Sequence, residues 1–409
     1  MLRRSLLIAI AFYLCIAPAG AQARRKLVVI SVDGLDARYL RDRDTMGLKI
    51  PNIRRLLKEG AAADGVIGVV PTVTWPSHTT LITGVPPSEH GILGNRRPRS
   101  EGGDYYWTYD LMKTRSLWQA AKDAGLKTAA ITWPVSVGAP VDYNLPEYFL
   151  ARRGGAMDLE GIRSKATPGL VDEIAKEFPS FPQQWMDDRT RTLATTYILR
   201  KYQPDLLTLH LVDLDAEEHE VGPFTQASKA ILEYTDQLIG DIMQAMPKDA
   251  VLALVSDHGF ARVDKVINLP MLMKQQGATG KLMPMYGIAV AQDAEASKWL
   301  EKAAKDPANG IGRQIPKAEL EKLSPKLASA AAVYEPADGF LFGPENSKEL
   351  ITKPHEVGVH GLWPLRRDYR SVYVLWGTGV NPERLGEIEM TSIAGRLAKV
   401  LGVEFTPGR

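Results

Sequence analysis

Six side chains able to ligate a divalent cation stand where apolar, strand-like runs give out: Asp33 in VVISVDG, Asp215 and His219 in LHLVDLDAEEH, Asp257 and His258 in LALVSDHG, and His360 in GVHG. Three carboxylates and three imidazoles suit two divalent metal ions. With the histidines neutral, two dications outweigh the three carboxylates by one charge, so a loaded pocket attracts an anion that the bare pocket repels. That change of sign points to phosphoryl transfer on two metals.

A nucleophile can be sought in PTVTWPSHTTLITG, residues 71–84. Thr precedes a Pro of the first turn and Gly follows the last apolar residue, the start and stop signals of a short helix. Thr74 falls at or near the N-cap, where free amides and the helix dipole favour an anion. Taken alone this is an ordinary capping threonine, worth about 1 kcal/mol. Beside six ligands it reads as a nucleophile whose oxygen a dication would acidify. Ser77 and Thr72 are weaker candidates, and Thr79 and Thr80 lie inside the helix.

The elements that must position these groups alternate. Apolar, β-branched runs predict strands at 26–32, 127–132, 206–212, 250–255 and 370–375; helical patterns run over 51–58, 116–124, 190–201, 225–246 and 391–401. Such alternation predicts an α/β fold with a mostly parallel central sheet flanked by helices. Ligands of such sheets gather beyond the carboxyl ends of the strands, so distant residues can converge there. From 265 to 355 the texture changes to Met-rich and Gly-rich pieces, with helices near 294–305 and 317–323 and a strand near 340–342. This segment reads as a small α+β subdomain inserted into a core made of 24–264 and 356–409, with a role in shaping access.

Composition adds bounds. The chain has 409 residues, 45% hydrophobic and 24% charged, enough for a large core. Residues 1–23 read as a secretory signal: Arg3 and Arg4, a short apolar run, then Ala21-Gln22-Ala23. The expected location is periplasmic or secreted, with no membrane span after cleavage; an uncleaved anchor is the alternative. Cys15, the one cysteine, lies in that segment, so the mature chain has neither a disulfide nor a cysteine nucleophile. Loss of Arg3 and Arg4 brings the formal charge from +2 to zero, and no basic stripe suggests nucleic-acid binding. The run Arg96, Arg97 and Arg99 reads as a solvated loop. His78, His90, His210 and His355 read as structural histidines, His355 beside Glu356 being the one nearest the site.

With these stretches in order, the sequence resembles the nucleotide pyrophosphatase/phosphodiesterase family of the alkaline phosphatase superfamily. VVISVDG, PTVTWPSHTTLITG, PPSEHGILGN, VDLDAEEHEVGP, LVSDHGF and GVHG follow the family's order and span nearly all of the mature chain. The resemblance implies an alkaline phosphatase-like fold and two metals, usually zinc, with manganese or iron as alternatives. One would be held by Asp215, His219 and His360, the other by Asp33, Thr74, Asp257 and His258. It further implies a phosphothreonine on Thr74, with Asn95 as a substrate-binding amide 21 residues on. Trp75 and Ser77 depart from the family's usual Phe and Asn; Trp75 is read either as a stacking surface for an aromatic leaving group or as a wall of the core. Trp133-Pro134-Val135-Ser136 resembles the diesterase branch, and the Lys-x-Arg pair of monoesterase relatives is missing there; Lys113-Thr114-Arg115 has the spacing but reads as surface. The expected substrate is a small phosphodiester or nucleotide. The alternatives are an alkaline phosphatase-type monoesterase and, from another class, a catalytically silent metal-stabilised binding protein. A sulfatase is disfavoured for want of a mature cysteine.

Overall fold

Leu27–Val32 is buried at all six positions, and its side chains divide between two cores: Val28, Ile30 and Val32 enter one, Leu27 and Val29 the other. A strand apolar on both faces belongs in the middle of a covered sheet. The computed structural model, which describes residues 25–285, 287–343 and 348–408, has it there. The signal segment and Cys15 lie outside the described residues.

The main sheet has eight strands in the order Glu383–Arg384, Ala61–Ala62, Tyr373–Gly377, Val251–Val255, Leu27–Val32, Leu206–Leu211, Thr128–Ile131, Tyr143–Leu145. The run from Val251–Val255 to Tyr143–Leu145 is parallel. Tyr373–Gly377 begins later than its apolar run suggests and joins Val251–Val255 antiparallel. On one face lie the helices Pro51–Glu59, Leu170–Glu177, Asp188–Tyr202 and Gln226–Ala245, whose Ile53, Ile174, Ile198 and Ile239 fill the first core. On the other lie Thr74–Thr83, Leu117–Asp123 and Ile393–Leu401, through Leu81, Trp118 and Leu397. Caps fix several of these ends: Ser116, Asp187 and Thr225 each accept an amide of their helix's first turn.

The segment after Ile267 carries its own antiparallel sheet, in the order Leu282–Met285, Ile288–Ala291, Ala332–Pro336, Ile311–Gln314. The helix Ala294–Ala303 covers it, with Trp299 and Leu300 packed in a cluster with Ala289 and Tyr334. Ala261–Ile267 is the stitch: it pairs with Gly339–Phe342, with Ile351–Thr352 and with Gly358–Val359, the strand that delivers His360. Among the described residues no helix is long and apolar enough to cross a membrane.

Candidate metal centre

Asp33 directly follows the strand Leu27–Val32, and Asp257 and His258 follow its parallel neighbour Val251–Val255. Parallel pairing puts both strand ends on one edge of the sheet, so the three meet. All are buried, and their donor atoms form one group of potential metal ligands. His258 Nε2 lies 3.0 Å from Asp257 Oδ2 and 3.3 Å from Asp33 Oδ1, yet none of these three atoms makes a hydrogen bond. The other oxygen of each carboxylate is held by the chain. Asp33 Oδ2 accepts from His210 Nε2 at 2.9 Å, and Asp257 Oδ1 from the Gly34 amide at 3.1 Å. Gly34 has φ +73° and a side chain there would strike the Phe260 ring at 2.7 Å, so glycine alone suits the turn.

The second group is Asp215, His219 and His360. Asp215 and His219 occupy successive turns of the helix Asp213–Val221 and therefore share a face. Asp215 Oδ1 is 3.5 Å from His219 Nε2 and 3.7 Å from His360 Nε2, and again has no hydrogen bond. His219 Nδ1 donates to the Gly358 carbonyl at 3.0 Å, which turns Nε2 towards the group. The imidazoles of His258 and His360 stack with centroids 3.8 Å apart, so the two groups adjoin. Arg152 Nη2, 3.9 Å from Asp215 Oδ2, brings a cation to the edge.

The protein's own charges in the site are poorly matched. Burial, reinforced by Asp215 and Asp257, drives Asp33 well above the usual carboxylate range. Burial opposes charge on His258 and His219, but Asp257 and Asp215 respectively overcome it and raise them to about 9 and about 11. Burial and then His258 push His360 well below its ordinary value. Buried donors aimed at one another without hydrogen bonds are costly unless a cation unites them. The donor set, Asp oxygens and imidazole nitrogens, fits divalent metals.

Thr74 is the first residue of the helix Thr74–Thr83 and Val73 is its N-cap; no side chain caps the helix, so the capping role open to Thr74 is not taken. The Thr74 carbonyl accepts from His78 Nδ1 at 2.9 Å, while His78 Nε2 accepts from the Ser31 hydroxyl at 2.8 Å. Burial and then His210 hold His78 down at about 3, neutral as that pattern requires. His78 Nδ1 is also 3.6 Å from Asp257 Oδ2, which ties the helix Thr74–Thr83 to the first group. Asn95 Oδ1 accepts the Trp75 amide at 3.0 Å, which leaves its NH2 as a donor beside Thr74. Trp75 is 1% exposed, packs on Tyr105 with centroids 4.7 Å apart and donates its indole N–H to Tyr106. It is a wall of the core, and the partly buried Tyr105 and Trp107 pack beside it.

Two histidines read as merely structural touch the site: His78, as above, and His210, whose Nδ1 meets Glu147 Oε2 at 2.6 Å while Nε2 meets Asp33. The signal for His210 was the one ionisable residue in LLTLHL, a strand buried throughout, where such a group must be paired. Glu147 gave no signal. His355 is exposed, and its neighbour Glu356 is the one that reaches His219, at 3.1 Å.

The sequence profile of type I phosphodiesterase / nucleotide pyrophosphatase matches residues 27–356. The chain is 26% identical over 271 residues to venom phosphodiesterase 2 of Crotalus adamanteus, covering 60% of this chain and 28% of that protein. With ectonucleotide pyrophosphatase/phosphodiesterase family member 7 of Mus musculus it shares 25% over 265 residues, covering 61% and 53%. The chain thus spans about a quarter to about half of the length of these relatives. Two solved structures, of murine and human ectonucleotide pyrophosphatase/phosphodiesterase 5, superpose with TM-scores of 0.61 and 0.62 at 19% and 18% identity, each covering 94% of this chain and 96% of the other. The murine protein is an inactive threonine-to-alanine variant in complex with AMP. At that identity the likeness establishes the fold, alkaline phosphatase-like α/β. The profile reaches from the first strand of the sheet through the whole of residues 265–355, and by that match the chain belongs to the type I phosphodiesterase / nucleotide pyrophosphatase family.

Proposed function

We propose that the chain is an exported two-metal hydrolase that cleaves phosphodiester or pyrophosphate bonds through a phosphothreonine on Thr74. The observation that carries this reading is the pair of adjoining ligand groups in which each carboxylate keeps an unpaired buried oxygen. Asp33, Asp257 and His258, with Thr74, would hold one metal, and Asp215, His219 and His360 the other. Zinc suits this Asp/His set. Two bound dications supply Lewis acidity and offset the charge of the phosphoryl oxygens.

The chain's own residues do the rest. Thr74 Oγ1 gives up its proton to solvent and attacks phosphorus in line, while the P–O bond to the alcohol or phosphate leaving group breaks and that oxygen departs with the bonding pair, to be protonated from water. Water then cleaves the phosphothreonine and restores the hydroxyl. His78 fixes the Thr74 carbonyl, and with it the first turn that carries the Thr74 hydroxyl. Asn95 donates to a non-bridging oxygen, and Tyr105 and Trp107 offer an aromatic face to the leaving group. Residues 265–355 form an inserted cap over this end of the sheet, and residues 1–23 direct export.

Purified mature protein with zinc should hydrolyse bis-p-nitrophenyl phosphate, or a nucleoside 5′-p-nitrophenyl ester, faster than p-nitrophenyl phosphate. The opposite order transfers the assignment to a monoesterase. Thr74→Ala should abolish turnover and keep the metal content; undiminished activity in that variant removes the covalent route.

A further inference from the structure

His210 and Glu147 form a buried chain of contacts ending on Asp33. His210 is 0% exposed and Glu147 1%. Both ring nitrogens face acceptors: Nε2 meets Asp33 Oδ2 at 2.9 Å, and Nδ1 meets Glu147 Oε2 at 2.6 Å and the Thr132 carbonyl at 3.0 Å. The backbone is bent to make this possible. Thr132 has φ +45° and Val135 φ +61°, left-handed conformations that β-branched residues rarely adopt. That turn aims the Thr132 carbonyl at His210, and its Oγ1 donates to the His210 carbonyl at 2.8 Å. Ser136 Oγ, from the same loop, accepts the Glu147 amide at 3.4 Å.

A carboxylate ligand with both oxygens free can rotate between them, whereas one with Oδ2 pinned presents Oδ1 in a single direction. Here the pinned oxygen belongs to Asp33, and the free one lies 3.3 Å from His258 Nε2. The second group is held more loosely: Arg152 Nη2 stands 3.9 Å from Asp215 Oδ2, partly exposed His219 rests on the Gly358 carbonyl and on Glu356, and partly exposed His360 has no hydrogen bond on Nδ1.

We infer that Glu147 and His210 are positioning residues that orient Asp33 through its Oδ2, so that the Asp33–Asp257–His258 half-site is built before metal arrives and binds its ion more tightly than the Asp215–His219–His360 half-site. This inference rests on the two-metal reading above. Outer partners of ligands commonly govern metal affinity by about 10–100-fold.

The test is stepwise removal of zinc from the full chain by a competing chelator, with the metal counted at each step. Asp257→Ala and Asp215→Ala identify which step belongs to which half-site. His210→Phe, which keeps the ring volume and loses both contacts, should weaken the tighter step about 10–100-fold and leave the looser one unchanged. In steady state kcat should fall with KM little altered. Glu147→Ala should act in the same direction, and Glu147→Gln, which retains an acceptor for Nδ1, should recover much of the loss. Folding is checked by near-UV circular dichroism. If His210→Phe does not fold, the Glu147 pair decides, and equal zinc affinities in Glu147→Ala, Glu147→Gln and wild type overturn the inference. A folded His210→Phe with both wild-type steps does so as well. Wild-type protein that takes up no zinc sinks this inference together with the metal reading; wild-type uptake with indifferent variants sinks this inference alone.

Discussion

Asn95 has one oxygen engaged, by the Trp75 amide, so its substitution can be split into two effects. Asn95→Asp keeps that acceptor and removes the donor meant for a phosphoryl oxygen. Loss of one such donor should lower kcat/KM about 100-fold while the melting temperature holds. Asn95→Ala should cost stability besides, by leaving the amide short of a partner. A kcat/KM for Asn95→Asp within a few fold of wild type would refute the donor role. The residue scale is also where reading a sequence reaches its limit. The six proposed ligands announce themselves because they are polar groups at or just beyond the ends of apolar runs. His210 signals only that some partner exists, and Glu147, 63 residues away, is paired to it by sheet topology rather than by local pattern.

The helix Thr74–Thr83 is held from outside by Pro87–His90. His90 Nε2 lies 3.1 Å from the Thr80 hydroxyl, and its Nδ1 accepts the Ile92 amide at 3.1 Å. Burial depresses His90 to about 3. A histidine kept neutral in the fold takes up a proton only on unfolding, at its ordinary value near 6.5. Its contribution is therefore intact above about 6.5 and is lost as pH falls towards 3, by up to about 1.4 kcal/mol per pH unit. His90→Gln should flatten the stability profile between pH 6 and 4 by that slope, read from urea unfolding. Parallel profiles would exclude this role. The elements themselves were largely legible, since long apolar runs and capped amphipathic segments specify strand and helix locally. Direction was not: Tyr373–Gly377 is apolar like its neighbours, and nothing in such a run says that it enters antiparallel.

For the molecule as a whole, the unpaired buried oxygens of the two candidate ligand groups link stability to the proposed metals. Zinc at 100 times its Kd should stabilise the fold by about 2.7 kcal/mol per site, and chelation should lower the melting temperature reversibly. Identical melting curves with and without zinc would speak against a buried site. Convergence of the ligands could be foreseen because parallel strands present their carboxyl ends together. The asymmetry between the two half-sites could not, because it arises from burial and side-chain support that only the assembled sheet defines.

His360 enters on the strand Gly358–Val359, after the chain has made its excursion through the second sheet. Asp33, Asp257 and His258 all precede it, the last two by about a hundred residues. A polypeptide lengthening from its N-terminus therefore owns one complete ligand trio while the other still lacks a member, and the order in which the pockets mature is written into the order of translation.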